Sequence, residues 1–305
     1  MSGSWGRLMP PAEFGRSLPA PTVERPLLEW LLVSLKNESR TKVKQILKHG
    51  SVSVNGVAVT RHDHPVRPGD RIAIGLNPGV GELTRAGITV AFEDASVIVI
   101  DKPSGLLTVA TEAEKFDTAY ARLAAALAAR RAGRPFVVHR LDRETSGLLL
   151  FARTATARDW LQKNWESVTK TYIAVVEGKP RPSEGIVENY LLEGRDLRVR
   201  AAPPGGEAKR AISRYRVVAA NRTHSLVEVE LKTGRKHQIR AHMAGLGCPV
   251  IGDKAYGATT DPAGRLGLHA WRLAFDHPVD GRRVELESPI PEPLRIVARS
   301  SNRTP

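Results

Sequence analysis

Residues 136–152, FVVHRLDRETSGLLLFA, place two apolar runs on either side of a polar insert. FVV and LLLF have the length and residue types of strands. Between them Arg140, Asp142, Arg143 and Glu144 crowd together before Ser146-Gly147, a pair that permits a tight turn. The reading is strand, polar loop, strand, and the same pattern extends outward. ITVAFEDASVIVIDKP, ended by Pro103, predicts strand, turn and strand. DTAYARLAAALAARRAG predicts an Ala-rich helix with Asp117 as N-cap and Gly133 as stop. TARDWLQKNWESV reads as a helix, KTYIAVVEG as a strand, and residues 183–233 are β-rich, with ISRYRVVAA and SLVEVELKTG alternating at period two. TGRKHQIRAHMAGLG reads as a loop into a short helix, and LHAWRLAFDHP and GRRVELESP close the unit as strands. Strands follow strands through tight turns rather than through regular helical crossovers. The fold class is therefore α+β with a mixed, largely antiparallel sheet.

The front of the chain is a smaller unit of a different kind. Residues 1–23 are rich in Pro, Gly and Ser and read as a flexible arm. RPLLEWLLVSLKN carries leucines at helical spacing. Ser39 can cap a second helix, RTKVKQILKH, that closes at Gly50. In it Val43, Ile46 and Leu47 form an apolar stripe, while Arg40, Lys44 and Lys48 succeed one another at i, i+4. Three like charges in a row repel, so the stripe needs an anionic partner. SVSVNGVAVT alternates around Asn55-Gly56 as a hairpin does, and Pro68-Gly69-Asp70 turns the chain into a further strand, RIAI. The expected divisions are 1–23 arm, 24–75 first domain, 76–87 linker, 88–298 second domain and 299–305 tail.

The 305 residues carry 46 Lys and Arg against 32 Asp and Glu, a net charge of +14, which favours a polyanionic partner, nucleic acid first. The single cysteine, Cys248, leaves no intramolecular disulfide framework and is compatible with a reducing compartment. Neither a signal peptide nor an apolar run of roughly 18 residues is legible. The expected location is the cytoplasm, with no membrane partner.

Asp142, set between Arg140 and Arg143, would keep its charge and could act as nucleophile or base without a metal. A solvated surface loop is the plain alternative. TGRKHQIRAHM packs Arg235, Lys236, His237, Arg240 and His242 together, charge that suits phosphate binding or the orientation of a carboxylate. His237 and His242 lack metal-ligand spacing and Cys248 stands alone, so no metal is expected. Tyr172, two residues after Lys170, could stack on a base or simply join the core. Neither G-x-x-x-x-G-K-[ST] nor G-x-G-x-x-G occurs, so no nucleotide cofactor is suggested.

The order of helix, basic helix, NG hairpin and PGD turn, with SRTKVKQILKHGSVSVNG at its centre, resembles the S4 RNA-binding domain. IDKPSGLLT, HRLDRETSG, KTYIAVVEG, LKTGRKHQIRAHMAGLGCPVIGDKAYG and LHAWRLAFDHP, in that order over residues 92–291, resemble the RluA-type RNA pseudouridine synthases. That resemblance implies a pseudouridine-synthase catalytic domain behind a small α/β S4-like domain, and site-specific isomerisation of uridine without a cofactor. The expected substrate is large-subunit rRNA, with tRNA as a further possibility, and the expected state is a monomer. It also implies that Asp142 is the catalytic carboxylate, that Tyr172 contacts the target base and that Arg240 pairs with the aspartate. Arg140 would help displace the nucleotide, Ile239 would wall the pocket, and Arg235, His237 and Lys102 would join the substrate site. Arg40, Lys44 and Lys48 would hold RNA phosphates. A non-catalytic RNA-binding or ribosome-assembly factor is the competing function.

Overall fold

The computed structural model describes residues 16–36, 38–48, 52–55, 57–59, 61–74, 87–112, 114 and 116–299. Most of the expected arm, linker and tail lie outside them, as do Gly50, Gly56 and the side chain of Lys48. In the N-terminal part, α1 (Leu27–Ser34) and α2 (Arg40–Lys48) pack on short strands β1 (Arg16–Ser17), β2 (Arg25–Pro26), β3 (Val52–Val54), β4 (Val57–Ala58), β5 (Pro65–Val66) and β6 (Ile72–Ile74). Leu27, Leu31, Val43, Leu47, Val52 and Ile72 form the core, so the predicted stripes face inward. Asn55 takes the left-handed conformation that its hairpin turn requires, at φ 54°. Its amide also reaches Asp70 (2.8 Å) and accepts from Arg71 N (2.9 Å), tying hairpin to PGD turn.

The larger unit contains β7 (Thr89–Glu93), β8 (Val97–Lys102), α3 (Ala119–Ala129), β9 (Phe136–Val137), β10 (Ser146–Ala152), α4 (Ala155–Lys163) and β11 (Thr169–Glu177). These are followed by β12 (Glu184–Glu193), β13 (Val199–Ala202), β14 (Lys209–Ala220), β15 (His224–Leu231), α5 (Gln238–Gly245), β16 (Leu268–Asp276), β17 (Arg283–Glu287) and α6 (Glu292–Arg299). One sheet runs β13-β12-β14-β15-β11-β16-β10-β8-β7, with β17 on β16 and β9 on β10. Among the described strands the β10·β16 pair is parallel and the other pairs of this sheet are antiparallel, in agreement with the α+β reading. β8 and β10 are buried on both faces, which is why they read as unbroken apolar runs. Ile98, Ile100, Leu149 and Phe151 pack with Leu123 and Leu127 of α3 on one face. Val97, Val99, Leu148 and Leu150 pack with Leu161 of α4 on the other.

Three local expectations are corrected. Thr118, not Asp117, caps α3, its Oγ1 accepting from Ala121 N (3.0 Å), because the carboxylate of Asp117 is drawn into an ion pair with Arg122. The helix ends at Ala129 rather than running to Gly133, and Arg131 already turns left-handed at φ 53°. The expected closing strands are followed by a helix, α6, whose Leu294 and Val297 bury against Val175 and Ile251. Pro293 sits in its first turn, where a missing N–H costs nothing.

Candidate active site

The polar loop between β9 and β10 is pinned by its backbone on both sides of Asp142. Thr108 Oγ1 donates to Leu141 O (2.8 Å) and accepts from Leu141 N (3.1 Å). Beyond Asp142, Gly105 N reaches Arg143 O (2.9 Å) and Ser104 Oγ reaches Glu144 O (2.6 Å). His139 turns back so that Nε2 accepts Leu150 N–H (2.9 Å), and its ring lies against Trp165 at 4.7 Å. Burial pushes its pKa down to about 3, so it is the neutral acceptor this bond needs.

Lys102 corrects an expectation. In place of a substrate contact, its side chain is fully buried and Nζ donates to the carbonyls of Pro103 (3.0 Å), Leu106 (2.7 Å) and Arg143 (3.0 Å). Three N–H bonds meet three acceptors, which leaves none for a ligand. Burial lowers its pKa to about 8, against the opposing charges of Glu144 and Asp142. Lys102 is thus a staple beneath the Asp142 loop.

The Asp142 carboxylate accepts no hydrogen bond from the described residues and is 29% exposed. Its Oδ2 lies 3.9 Å from both Arg240 Nη1 and His237 Nε2. Around it Arg140, Tyr172, Arg235, His237, Ile239 and Arg240 line one pocket of about 80 Å³. Seven of the eight residues expected at the substrate therefore meet, and Lys102 does not. Arg140 is exposed and without an ion pair or hydrogen bond among the described residues, and Ile239 is buried in the wall. Tyr172 stands on β11 where the pairing with β16 slips. Burial first, then the charge of Asp142, raises its phenol pKa, so the ring stays neutral.

Arg240 is held differently from the expected pairing. Nε and Nη2 make a bidentate contact with Asp253 (2.6 and 2.8 Å), leaving Nη1 towards Asp142. The Asp253 side chain is 1% exposed and Arg240 lies 4.8 Å over the Tyr256 ring. Burial works against the charge of Arg240, but the bond to Asp253 and the charges of Asp253 and Asp142 more than offset it, so its pKa is raised. Gln238 fixes the turn before α5, with Oε1 accepting from Thr233 Oγ1 (2.8 Å) and Arg235 N (3.0 Å) while Nε2 donates to Ile212 O (2.9 Å). That turn places His237 at φ 52°.

Asp253 and Tyr256 were not singled out from sequence, although GDKAYG follows the TGRKHQIR block closely. The signal available was an acid and a phenol next to the apolar PVIG. Tyr256 favours one tautomer of His237. Its hydroxyl oxygen accepts from Val199 N (2.8 Å), and its one hydrogen can go to His237 Nδ1 at 3.0 Å. A neutral His237, favoured because burial lowers its pKa, then presents Nε2–H to the pocket. It is a donor there rather than a base.

Residues 96–245 match the family described as RNA pseudouridylate synthase, and residues 25–72 match the S4 domain. The uncharacterized RNA pseudouridine synthase YlyB of Bacillus subtilis is 34% identical over 280 residues, covering 88% of this chain and 91% of its own. The chain belongs to the RNA pseudouridine synthase family. It is an isomerase that converts uridine in RNA to pseudouridine. The ribosomal large subunit pseudouridine synthase D of Neisseria meningitidis serogroup B is 32% identical over 285 residues, 85% of this synthase and 74% of the relative. The solved structure of human RNA pseudouridylate synthase domain containing 4 superposes with a TM-score of 0.58 at 25% identity, covering 70% of this chain and 94% of that one. Among the described residues no helix is long and apolar enough to cross a membrane.

Tyr256→Phe keeps the ring under Arg240 but removes the hydroxyl that favours this His237 tautomer. It is expected to lower kcat about tenfold, the scale of one lost orienting hydrogen bond, and to lower the melting temperature by a few degrees because Val199 N also loses its acceptor. Single-turnover kinetics beside a melting curve would check this. A wild-type kcat would remove His237 orientation from the reaction.

Proposed function

We propose that this synthase modifies large-subunit ribosomal RNA, acting as a monomer in the cytoplasm, with Asp142 as the reacting carboxylate. The observation that carries the residue assignment is the state of Asp142: a backbone pinned on both flanks, and a carboxylate that accepts no hydrogen bond from the described residues while Oδ2 lies 3.9 Å from two donors. The ribosomal reading is supported by the relatives named as large-subunit synthases, which align over 85% of the chain.

The reaction breaks N1–C1′, turns the uracil over, joins C5 to C1′ and finally releases the C5 hydrogen to water, with no redox change. The uridine must first leave its stack, which costs a few kcal/mol. Arg140, exposed and unpaired at the rim, is placed to fill the gap it leaves. Tyr172, a neutral phenol in the wall, offers a face for the base. Asp142 then either attacks C1′ or removes the C2′ proton, and both routes need an ionised, oriented carboxylate. Arg240 Nη1, 3.9 Å from Oδ2, helps to orient the carboxylate, and the His237 Nε2–H is available to a uracil carbonyl. In the S4 domain Arg40 and Lys44 are exposed one turn apart on α2 and would grip phosphates, with Lys48 continuing the row in sequence.

Purified protein incubated with large-subunit rRNA transcript tritiated at uridine C5 is expected to release label to water. Release from a tRNA pool and none from rRNA would overturn the ribosomal reading. Release from neither, with RNA binding intact, would favour the binding-factor alternative.

A further inference from the structure

A second concavity lies outside the uridine pocket. It is a groove of about 520 Å³ between the start of α3, β9 and α4, walled by Tyr120, Arg134, Phe136, Arg158 and Gln162. The Phe136 ring has the guanidinium of Arg134 at 5.2 Å and that of Arg158 at 5.4 Å from its centroid. Arg158 shares its charge with Asp159 (2.7 Å), whereas Arg134 takes no ion pair or hydrogen bond among the described residues. Packing gives no reason to gather two cations around one phenyl ring. Together they set an aromatic ring for a base beside the free guanidinium of Arg134 for phosphate.

One segment lines both the groove and the uridine pocket, and it carries further cations. Arg131, Arg134, Arg140 and Arg143 are exposed within residues 131–143 and none makes a close ion pair among the described residues, although Arg143 acts on the charge of Glu114. Their neighbours behave otherwise: Arg130 and Arg153 are both locked on Glu93, at 2.9 and 3.1 Å. Phe136 pairs with Ala152, at the end of β10 away from Ser146 and the Asp142 loop. At the usual rise per residue of a strand the groove is roughly 20 Å from the reacting carboxylate. A nucleotide bound there belongs to a part of the RNA outside the flipped uridine and its immediate neighbours.

The geometry points to an accessory RNA subsite: the Arg134–Phe136–Arg158 groove holds a nucleotide of the substrate RNA flanking the target, base against the rings and phosphate on the Arg134 guanidinium. This rests on RNA being the substrate and extends that reading from the reacting uridine to the RNA that surrounds it. The occupant is RNA rather than an acidic peptide because the same segment that places Arg134 in the groove places the unpaired Arg140 in the uridine pocket.

The test compares wild type, Arg134→Glu, Arg158→Ala and their double variant in tritium release from large-subunit rRNA transcript and from the shortest fragment the wild type still modifies. Arg134 is exposed and Arg158 half-buried in a surface ion pair, so melting temperatures should stay within a few degrees of the wild type. Phe136→Leu, which keeps an apolar side chain against the second core cluster, reports on stacking alone. On the long transcript KM is expected to rise about tenfold with kcat unchanged, the scale of one lost base stack. The slope of log KM against log salt should flatten by about 0.7 in the double variant, the value for one phosphate that Arg134 no longer neutralises. On the shortest fragment the difference should shrink towards none. A long-transcript KM within twofold of wild type would overturn the subsite and leave an acidic peptide as the groove's ligand. If the wild type itself releases no label, the ribosomal reading fails instead. The subsite is then judged by anisotropy on a bulk RNA pool, where unchanged binding by the double variant would overturn it.

Discussion

Asp142→Asn is expected to lower isomerisation by about 10⁴-fold or more while RNA affinity stays within a few-fold of wild type. The substitution keeps size and shape but removes the charge that either attacks C1′ or takes the C2′ proton. The loop should hold its place, because the bonds that position it come from backbone groups of Leu141, Arg143 and Glu144 and not from the carboxylate. Binding should survive because the affinity of such proteins for RNA rests mainly on phosphate contacts. Tritium release measured beside fluorescence anisotropy separates the two effects. Turnover within a factor of about ten of wild type would mean that another group carries the chemistry.

Gly147→Ala is expected to be the most damaging single methyl group that can be added near the site. Gly147 has φ 110°, and a Cβ there would stand 2.2 Å from Ala270 O and 2.7 Å from Ala270 N. Both contacts are backbone, so neither can rotate away. This is where β10 meets β16 in parallel, through Ser146 opposite His269 and Gly147 opposite Ala270. The junction is locked further by Ser146 Oγ, which receives a hydrogen bond from Arg265 Nη2 (2.6 Å) and lies 2.8 Å from His269 Nδ1. Burial lowers the pKa of His269 to about 4, so Nδ1 is free to accept the serine proton. Prying the strands apart should cost about 4 kcal/mol or more, at the upper end of single-residue effects. That corresponds to a fall in melting temperature of roughly 10 °C for a unit of this size. A melting point within 2 °C of wild type would show that the junction yields.

Much of this could be read from the chain because apolar periodicity is local. FVV and LLLF around the HRLDRETSG insert, and the alternation in SLVEVEL, each report burial within a few residues. The cationic TGRKHQIR stretch likewise stands out as charge with no packing reason. Other features were hidden by competition between similar neighbours. Thr118 and Asp117 are both good caps, and Arg122 decided between them by engaging the aspartate. The prolines around α6 look like loop. Lys102 was expected at the substrate from the family resemblance of DKPSG, and only the carbonyls of Pro103, Leu106 and Arg143 make its complete burial tolerable.

By itself the sequence determined the alternation that makes the sheet, the excess positive charge that selects RNA, and the HRLD and TGR blocks that mark the synthase family. Only the tertiary structure decided how the charges divide. The sequence assigns Arg240 to Asp142, yet its strong bonds go to Asp253, and the remaining Nη1 reaches Asp142 at 3.9 Å. The His237 tautomer is favoured by Tyr256, and Tyr256 is engaged by Val199 on a distant strand. The reason is one of range. Burial leaves its mark at helix or strand period along the chain, whereas a hydrogen bond or ion pair depends on distances of a few tenths of an ångström between residues far apart in sequence.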